Sequence, residues 1–125
     1  MARFTEYFSG SAVGINALTN TGVNTGTMLD VSMREQIGII ITCANHAAGN
    51  GVFTVDASND GTNWVTGIAV LDATQTTSTT YVVSKTLSSN TTGGFYIPFF
   101  AFKFIRVNVN VTTDGTYTAT LMSRG

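Results

Sequence analysis

Apolar and polar residues alternate with a period of two along most of the chain, the signature of strands with one dry and one wet face. The clearest run is KFIRVNVNV, where Ile105, Val107, Val109 and Val111 fall on one side and Phe104, Arg106, Asn108 and Asn110 on the other. VFTVDAS sets Phe53, Val55 and Ala57 against Val52, Thr54 and Asp56. TYTATLMSR sets Tyr117, Ala119 and Leu121 against Thr116, Thr118, Thr120 and Met122. Turn-forming clusters separate the runs: NHAAGNG (45–51), NDGT (59–62), SSNTTGG (88–94) and TTDG (112–115). Asp-Gly between alternating runs is a hairpin signal. The pattern predicts strands over 36–44, 51–58, 63–71, 79–87, 95–111 with a break at Pro98, and 115–123. A helical period is absent, although TMLDVSMREQI (27–37) has room for one short turn. The expected architecture is all-β: an antiparallel β-sandwich or jelly-roll-like barrel over 31–125.

Residues 1–30 read differently. SGSAVGINALTNTGVNTGTMLD is rich in Gly, Asn and Thr, with Val13, Ile15, Leu18 and Val23 spaced among them. Two readings stand side by side: an edge strand followed by loop, or an extended arm that orders only against a neighbour. A second segment invites a partner. FYIPFFAFKFI crowds Phe95, Tyr96, Phe99, Phe100 and Phe102 together, more rings than one strand buries on one side. If Pro98 bends the chain, both faces are instead buried internally. The candidate partner-contacting residues are therefore Phe4, Tyr7, Phe8, Val13, Ile15 and Leu18 near the N-terminus, with those five aromatics.

Composition narrows the function classes. Six basic and seven acidic residues make up only 10% of 125 positions, and threonine alone occurs 22 times. Ordinary globular domains carry roughly 25% charged residues. A surface of hydroxyls and amides suits a protein held in an assembly better than one dispersed by charge. The basic residues are scattered, so no nucleic-acid partner is expected. The longest apolar run is too short to span a bilayer and contains Pro98 and Lys103, so no membrane partner is expected. The N-terminus lacks the apolar core of a secretory signal, which implies assembly in a cytoplasm. Cys43, the lone cysteine, sits in IGIIITCA and reads as a buried small hydrophobe.

The stretch VDASNDGTNW (55–64) holds the densest candidate chemistry. Asp56, Ser58, Asp60 and Gly61 match the start of a calcium-binding loop, but the twelfth position, where that loop needs a bidentate Glu, is Gly67. Strands rather than helices flank it, so a hairpin turn capped by its own side chains is the stronger reading. Trp64, the only tryptophan, reads as a plug in the core; stacking against a glycan is the alternative. His46 and Cys43 lack the further ligands a zinc site needs, and no nucleophile elbow or phosphate loop is present. Neither a cofactor nor enzymatic activity is expected.

FTVDASNDGTNW followed by FAFKFIRVNVNVTTDGTYTATL resembles small all-β structural proteins of tailed bacteriophages. Those proteins pair an S-x-D-G-x-x-W turn, matched by Ser58, Asp60, Gly61 and Trp64, with an aromatic-R-[YF]-[IV]-R-V strand. Phe104, Ile105, Arg106 and Val107 match that strand, with Lys103 where an Arg or aromatic is common. Gly115 and Thr116 open the third motif, and related patterns occur in discoidin-like sandwiches. The likeness covers roughly residues 50–125. It implies a virion component: a capsid decoration (cement) protein bound to the major capsid protein, a homo-oligomer with a trimer favoured. A tail or neck component, or a carbohydrate-binding module using Trp64 for host attachment, is the alternative.

Overall fold

The computed structural model describes residues 11–32, 35–73 and 80–124. Two antiparallel sheets pack face to face into a β-sandwich. The first sheet is ordered β1 (Ser11–Leu18), β12 (Thr116–Arg124), β4 (Gln36–Ala44), β10 (Thr91–Ile97), β7 (Val70–Asp72) and β8 (Tyr81–Val82). The second runs β2 (Gly22–Thr25), β11 (Phe104–Val111), β5 (Gly51–Ser58) and β6 (Trp64–Val65). Beside β2, β3 (Leu29–Asp30) also pairs with β11, and beside β6, β9 (Lys85–Leu87) also pairs with β5.

The period-two pattern sets which face is dry. Ile105, Val107, Val109 and Val111 of β11 all point into the core, as do Phe53, Val55 and Ala57 of β5. Opposite them stand Ile37, Ile39, Ile41 and Cys43 of β4, Tyr117, Ala119 and Leu121 of β12, and Phe95 and Ile97 of β10. Full burial of one such aliphatic or aromatic side chain contributes about 1.5–3 kcal/mol. A one-residue slip in any of these strands would turn its whole dry set outward, so the core also fixes the register.

The predicted strands over 36–44 and 51–58 match β4 and β5. Three longer expectations divide, each for a local reason. The 63–71 run splits into β6 and β7, which belong to different sheets. Gly67 sits between them with φ 63°, and its N–H donates to Asp56 Oδ1 at 3.0 Å, which turns the chain from one sheet to the other. The 79–87 run likewise splits into β8 in the first sheet and β9 in the second. Lys85 of β9 reaches back to Asp72 of β7 at 3.0 Å, an ion pair linking the two layers. The 95–111 run breaks after Ile97, the residue before Pro98, and resumes as β11 in the opposite sheet. The turn expected at 88–94 is shorter than its composition suggests, because Thr91–Gly94 already pair with β4. Where one helical turn was admitted over 27–37, the described residues form β3, and Val31 is buried with its N–H donating to Lys103 O at 2.7 Å.

Tyr117 ties the layers together at one end. Its ring lies edge-on to Phe53 of the other sheet, with centroids 5.9 Å apart. A Cβ on Gly51 would stand 2.4 Å from the Tyr117 ring, so only glycine lets β5 pass so closely. The Tyr117 hydroxyl donates to Asp114 O at 2.9 Å. The Asp114 carboxylate in turn accepts from the N–H groups of Ala47 and Ala48, each at 3.1 Å, which joins the NHAAGNG and TTDG turns. Burial above all, with Cys43 and the Asp114 charge adding to it, pushes the Tyr117 phenol up to about 12. In the unfolded chain a tyrosine ionises near ~10. Below that both states keep the proton; above it the unfolded chain loses it first, so stability falls as pH rises from about 10 to about 12. Denaturant unfolding across that window should show the loss. Tyr117→Phe should be less stable by ~1 kcal/mol at neutral pH, where the hydroxyl bond is gone. Its curve between pH 10 and 12 should be flatter than that of the wild type.

Candidate interaction surfaces

Each sheet has an outer face, and the two differ in chemistry. On the second sheet, Asp56 points outward from β5 yet is only 2% exposed. Arg106 of β11 lies directly across from it and donates from Nε to Asp56 Oδ2 at 2.9 Å. Asn108 donates from Nδ2 to the same oxygen at 2.6 Å. With Gly67 N–H on Oδ1, both carboxylate oxygens are occupied. Trp64 closes the cluster: the Arg106 guanidinium carbon stands 4.0 Å from the centre of its ring. The expectation of a core plug is therefore overturned. Trp64 pairs with Ser58 at the start of a two-residue strand, and that register places it on the outer face, half-buried against a cation. The same stacking occupies one face of the ring with the Arg106 guanidinium.

The turn that precedes Trp64 is saturated by its own groups. Asp60 Oδ1 accepts from the N–H of Thr62 and of Asn63, both at 2.8 Å, and Oδ2 accepts from Asn63 Nδ2 at 2.8 Å. The backbone N–H of Asn63, then that of Thr62, holds the Asp60 carboxyl well below the usual carboxylate range. Ser58 Oγ accepts from Gly61 N–H at 2.9 Å and donates to Asn63 O at 2.6 Å. Gly61 takes φ 75°, the left-handed conformation that the tight turn requires. Among the described residues no three His, Cys, Asp or Glu side chains converge as metal ligands. Cys43 points into the core, while His46 Nε2 lies 2.8 Å from Gly49 O within its own turn.

On the first sheet the outer face is apolar. Ile40 is 56% exposed, Met122 57% and Tyr96 38%. They border a groove of 730 Å³ whose floor includes Gly38 and Gly94. The register explains the depression. Met122, Gly38 and Tyr96 form one lateral row, and Thr120, Ile40 and Gly94 the next. Each row carries a glycine where a side chain would otherwise fill the surface. The volume lies within the ~300–1,000 Å³ of typical ligand clefts.

The structure sorts the sequence candidates. Ile15, Phe95 and Phe100 are 6%, 1% and 5% exposed, so the core consumes them and they offer no contact surface. The alternative in which a bend at Pro98 buries the aromatics internally holds for these two rings: Phe95 faces inward from β10, and Phe100 packs on Phe102 at 5.6 Å. Leu18 and Phe102 are partly buried against the core. Tyr96 remains at the groove, and Phe99 is 71% exposed. Val13 lies in β1. Phe4, Tyr7 and Phe8 lie outside the described residues. Residues 11–18 pair with β12 as an edge strand, and residues 22–25 pair with β11. Ile40, Met122 and the two glycines were missed. For Gly38 and Ile40 a signal was present in QIGIIITCA, where the residues between the inward isoleucines are themselves Gly38 and Ile40 rather than polar.

An antiparallel two-layer β-sandwich is the class this fold defines. Among solved structures it is similar to that of the SPBc2 prophage-derived protein YomS. The TM-score is 0.67 at 10% sequence identity, covering 91% of this chain and 91% of that one. No protein-family model and no curated protein sequence matches the chain.

The Asp56 cluster yields a direct test. Arg106→Ala leaves a buried carboxylate without its guanidinium and strips the stacking partner from Trp64. The expected cost in denaturant unfolding is ~2–3 kcal/mol. Tryptophan emission should shift to the red, as the ring gains water.

Proposed function

We propose that this chain is a non-enzymatic structural component of a bacteriophage particle. Within that class we assign it as a capsid decoration protein that binds the major capsid protein shell and stabilises it. The observation that carries the reading is the sandwich shared, over 91% of both chains, with a prophage-derived protein. The motif likeness of residues 50–125 to phage structural proteins supports it independently. So does the surface chemistry. With 13 charged residues among 125 the chain has little charge to keep it dispersed, and it leaves large apolar side chains in water. Such a protein acts by buried contact area, as a homo-oligomer spanning neighbouring capsomers, with a trimer favoured. It would be assembled with the virion in the host cytoplasm and needs no cofactor.

Phe99 is the residue assigned to the shell contact. It follows Pro98 in the connection between the sheets and is 71% exposed, so its ring contributes nothing visible to the core. An exposed aromatic is the side-chain type that anchors protein interfaces. Purified chain mixed with undecorated capsids should co-sediment with them. Phe99→Asp should weaken that binding tenfold or more while leaving the unfolding midpoint unchanged. Failure of the wild-type chain to sediment with capsids would sink the decoration reading, and co-purification with tails would move the chain to the tail or neck.

A further inference from the structure

We propose that the outer face of the first sheet is a self-association surface, on which two copies of the chain pack face to face about a two-fold axis through the Gly38–Ile40 region of β4. The contact is a property of the chain alone and does not rest on the virion reading. A two-fold contact closes on itself as a dimer, so a trimer on a capsid would use a different surface.

The apolar area is wider than the groove. The lateral row Met122, Gly38 and Tyr96 continues through Leu71 of β7 to Tyr81 of β8. Tyr81 is 62% exposed, and Leu71 is half-buried between the two tyrosines. With Met122, Tyr96 and Ile40 they form one stripe across five strands, ~19 Å wide at ~4.8 Å per strand. The outer face of an antiparallel sheet is normally its polar side, and an apolar patch of this extent marks a contact surface. Gly38 adds to this. A Cβ there would meet nothing within 4 Å among the described residues, and its backbone is not left-handed. Gly94 differs, because its Cβ would stand 3.0 Å from Ile39 O. Nothing in the described chain calls for glycine at position 38, and glycine inside a strand often marks the close approach of another backbone or a ligand.

Charge and size single out a second copy as the occupant. Over 116–122 of β12, 36–44 of β4 and 92–96 of β10, and at Leu71 and Tyr81, the outward positions hold apolar residues, threonines, glycines and Gln36, and no charged residue. A two-fold contact sets a patch against itself, so any charge on it would meet its like. A face without charge escapes that repulsion and offers a charged partner nothing to pair with. β4 and β12 are each nine residues long. At ~3.4 Å per residue and ~19 Å of width, the flat footprint is roughly 500 Å² per copy. Two copies then cover about 1,000 Å² before side-chain relief is added, which reaches the ~1,000 Å² that a specific interface needs. The relief is self-complementary. Stacked sheets lie ~10 Å apart, so side chains of both must interdigitate. β4 is the middle of the three long strands β12, β4 and β10. An axis through it sets Ile40 of one copy over the Gly38 depression of the other, with the two Ile40 side chains adjacent.

The test is sedimentation equilibrium of the purified full chain across the micromolar range. The wild type should fit a monomer–dimer equilibrium. Ile40→Lys and Ile40→Glu change a side chain that is 56% exposed, so each should fold with an unchanged circular-dichroism spectrum. Each alone should raise the dimer dissociation constant at least tenfold, because like charges then face each other across the axis. An equimolar mixture of the two should recover the dimer, since opposite charges now meet. Recovery on mixing is specific to a contact between copies. A wild type that stays monomeric throughout would overturn the proposal. So would a dimer or trimer whose mass ignores both variants, or a mixture that stays monomeric. A monomeric wild type whose binding to undecorated capsids is lost in Ile40→Lys would assign the face to the shell and overturn it equally.

Discussion

Everything in this molecule depends on the register in which β4 lies between β12 and β10. That alignment turns Ile37, Ile39, Ile41 and Cys43 toward the other sheet and leaves Gly38 and Ile40 outside. A shift of one residue would exchange the two sets. The same choice that builds the core therefore builds the groove. The dry interior needs the isoleucines, and the outer depression exists because glycines occupy the intervening positions on β4 and β10.

The two outer faces represent opposite solutions to a half-buried sheet. The second sheet covers itself locally. Arg106, Asn108 and Trp64 close over Asp56, and the hydrogen bonds of that carboxylate are complete within the chain. Such a buried ion pair fixes geometry more than it adds stability, since desolvation offsets much of the attraction. The first sheet leaves apolar side chains without cover from the described residues. A chain with so few charges thus closes a polar cluster on one face and carries an apolar groove on the other.

Strand positions with strict alternation were legible in the sequence because one periodicity decides both secondary structure and burial. β4, β5, β11 and the inward set of β12 all follow from it. The sheet changes were less legible. The 63–71 stretch reads as one strand by composition, and only the left-handed Gly67 held by Asp56 splits it between layers. Trp64 was misplaced for a related reason. Size and hydrophobicity argue for the core, but the pairing with Ser58 sets the face, and pairing is a long-range property. The groove was legible only in part: QIGIIITCA shows Gly38 and Ile40 on the outer side of β4, but Gly94, Tyr96 and Met122 join them only when three strands align in register.

The reading of the chain as a virion component rests on a shared sandwich and a motif likeness, and on a surface short of charge. Its most direct test is quantitative mass spectrometry of phage particles purified from cells that carry its gene, with heads and tails separated beforehand. The account predicts the chain in the head fraction at a fixed, high ratio to the major capsid protein. Its absence from purified particles would contradict the account.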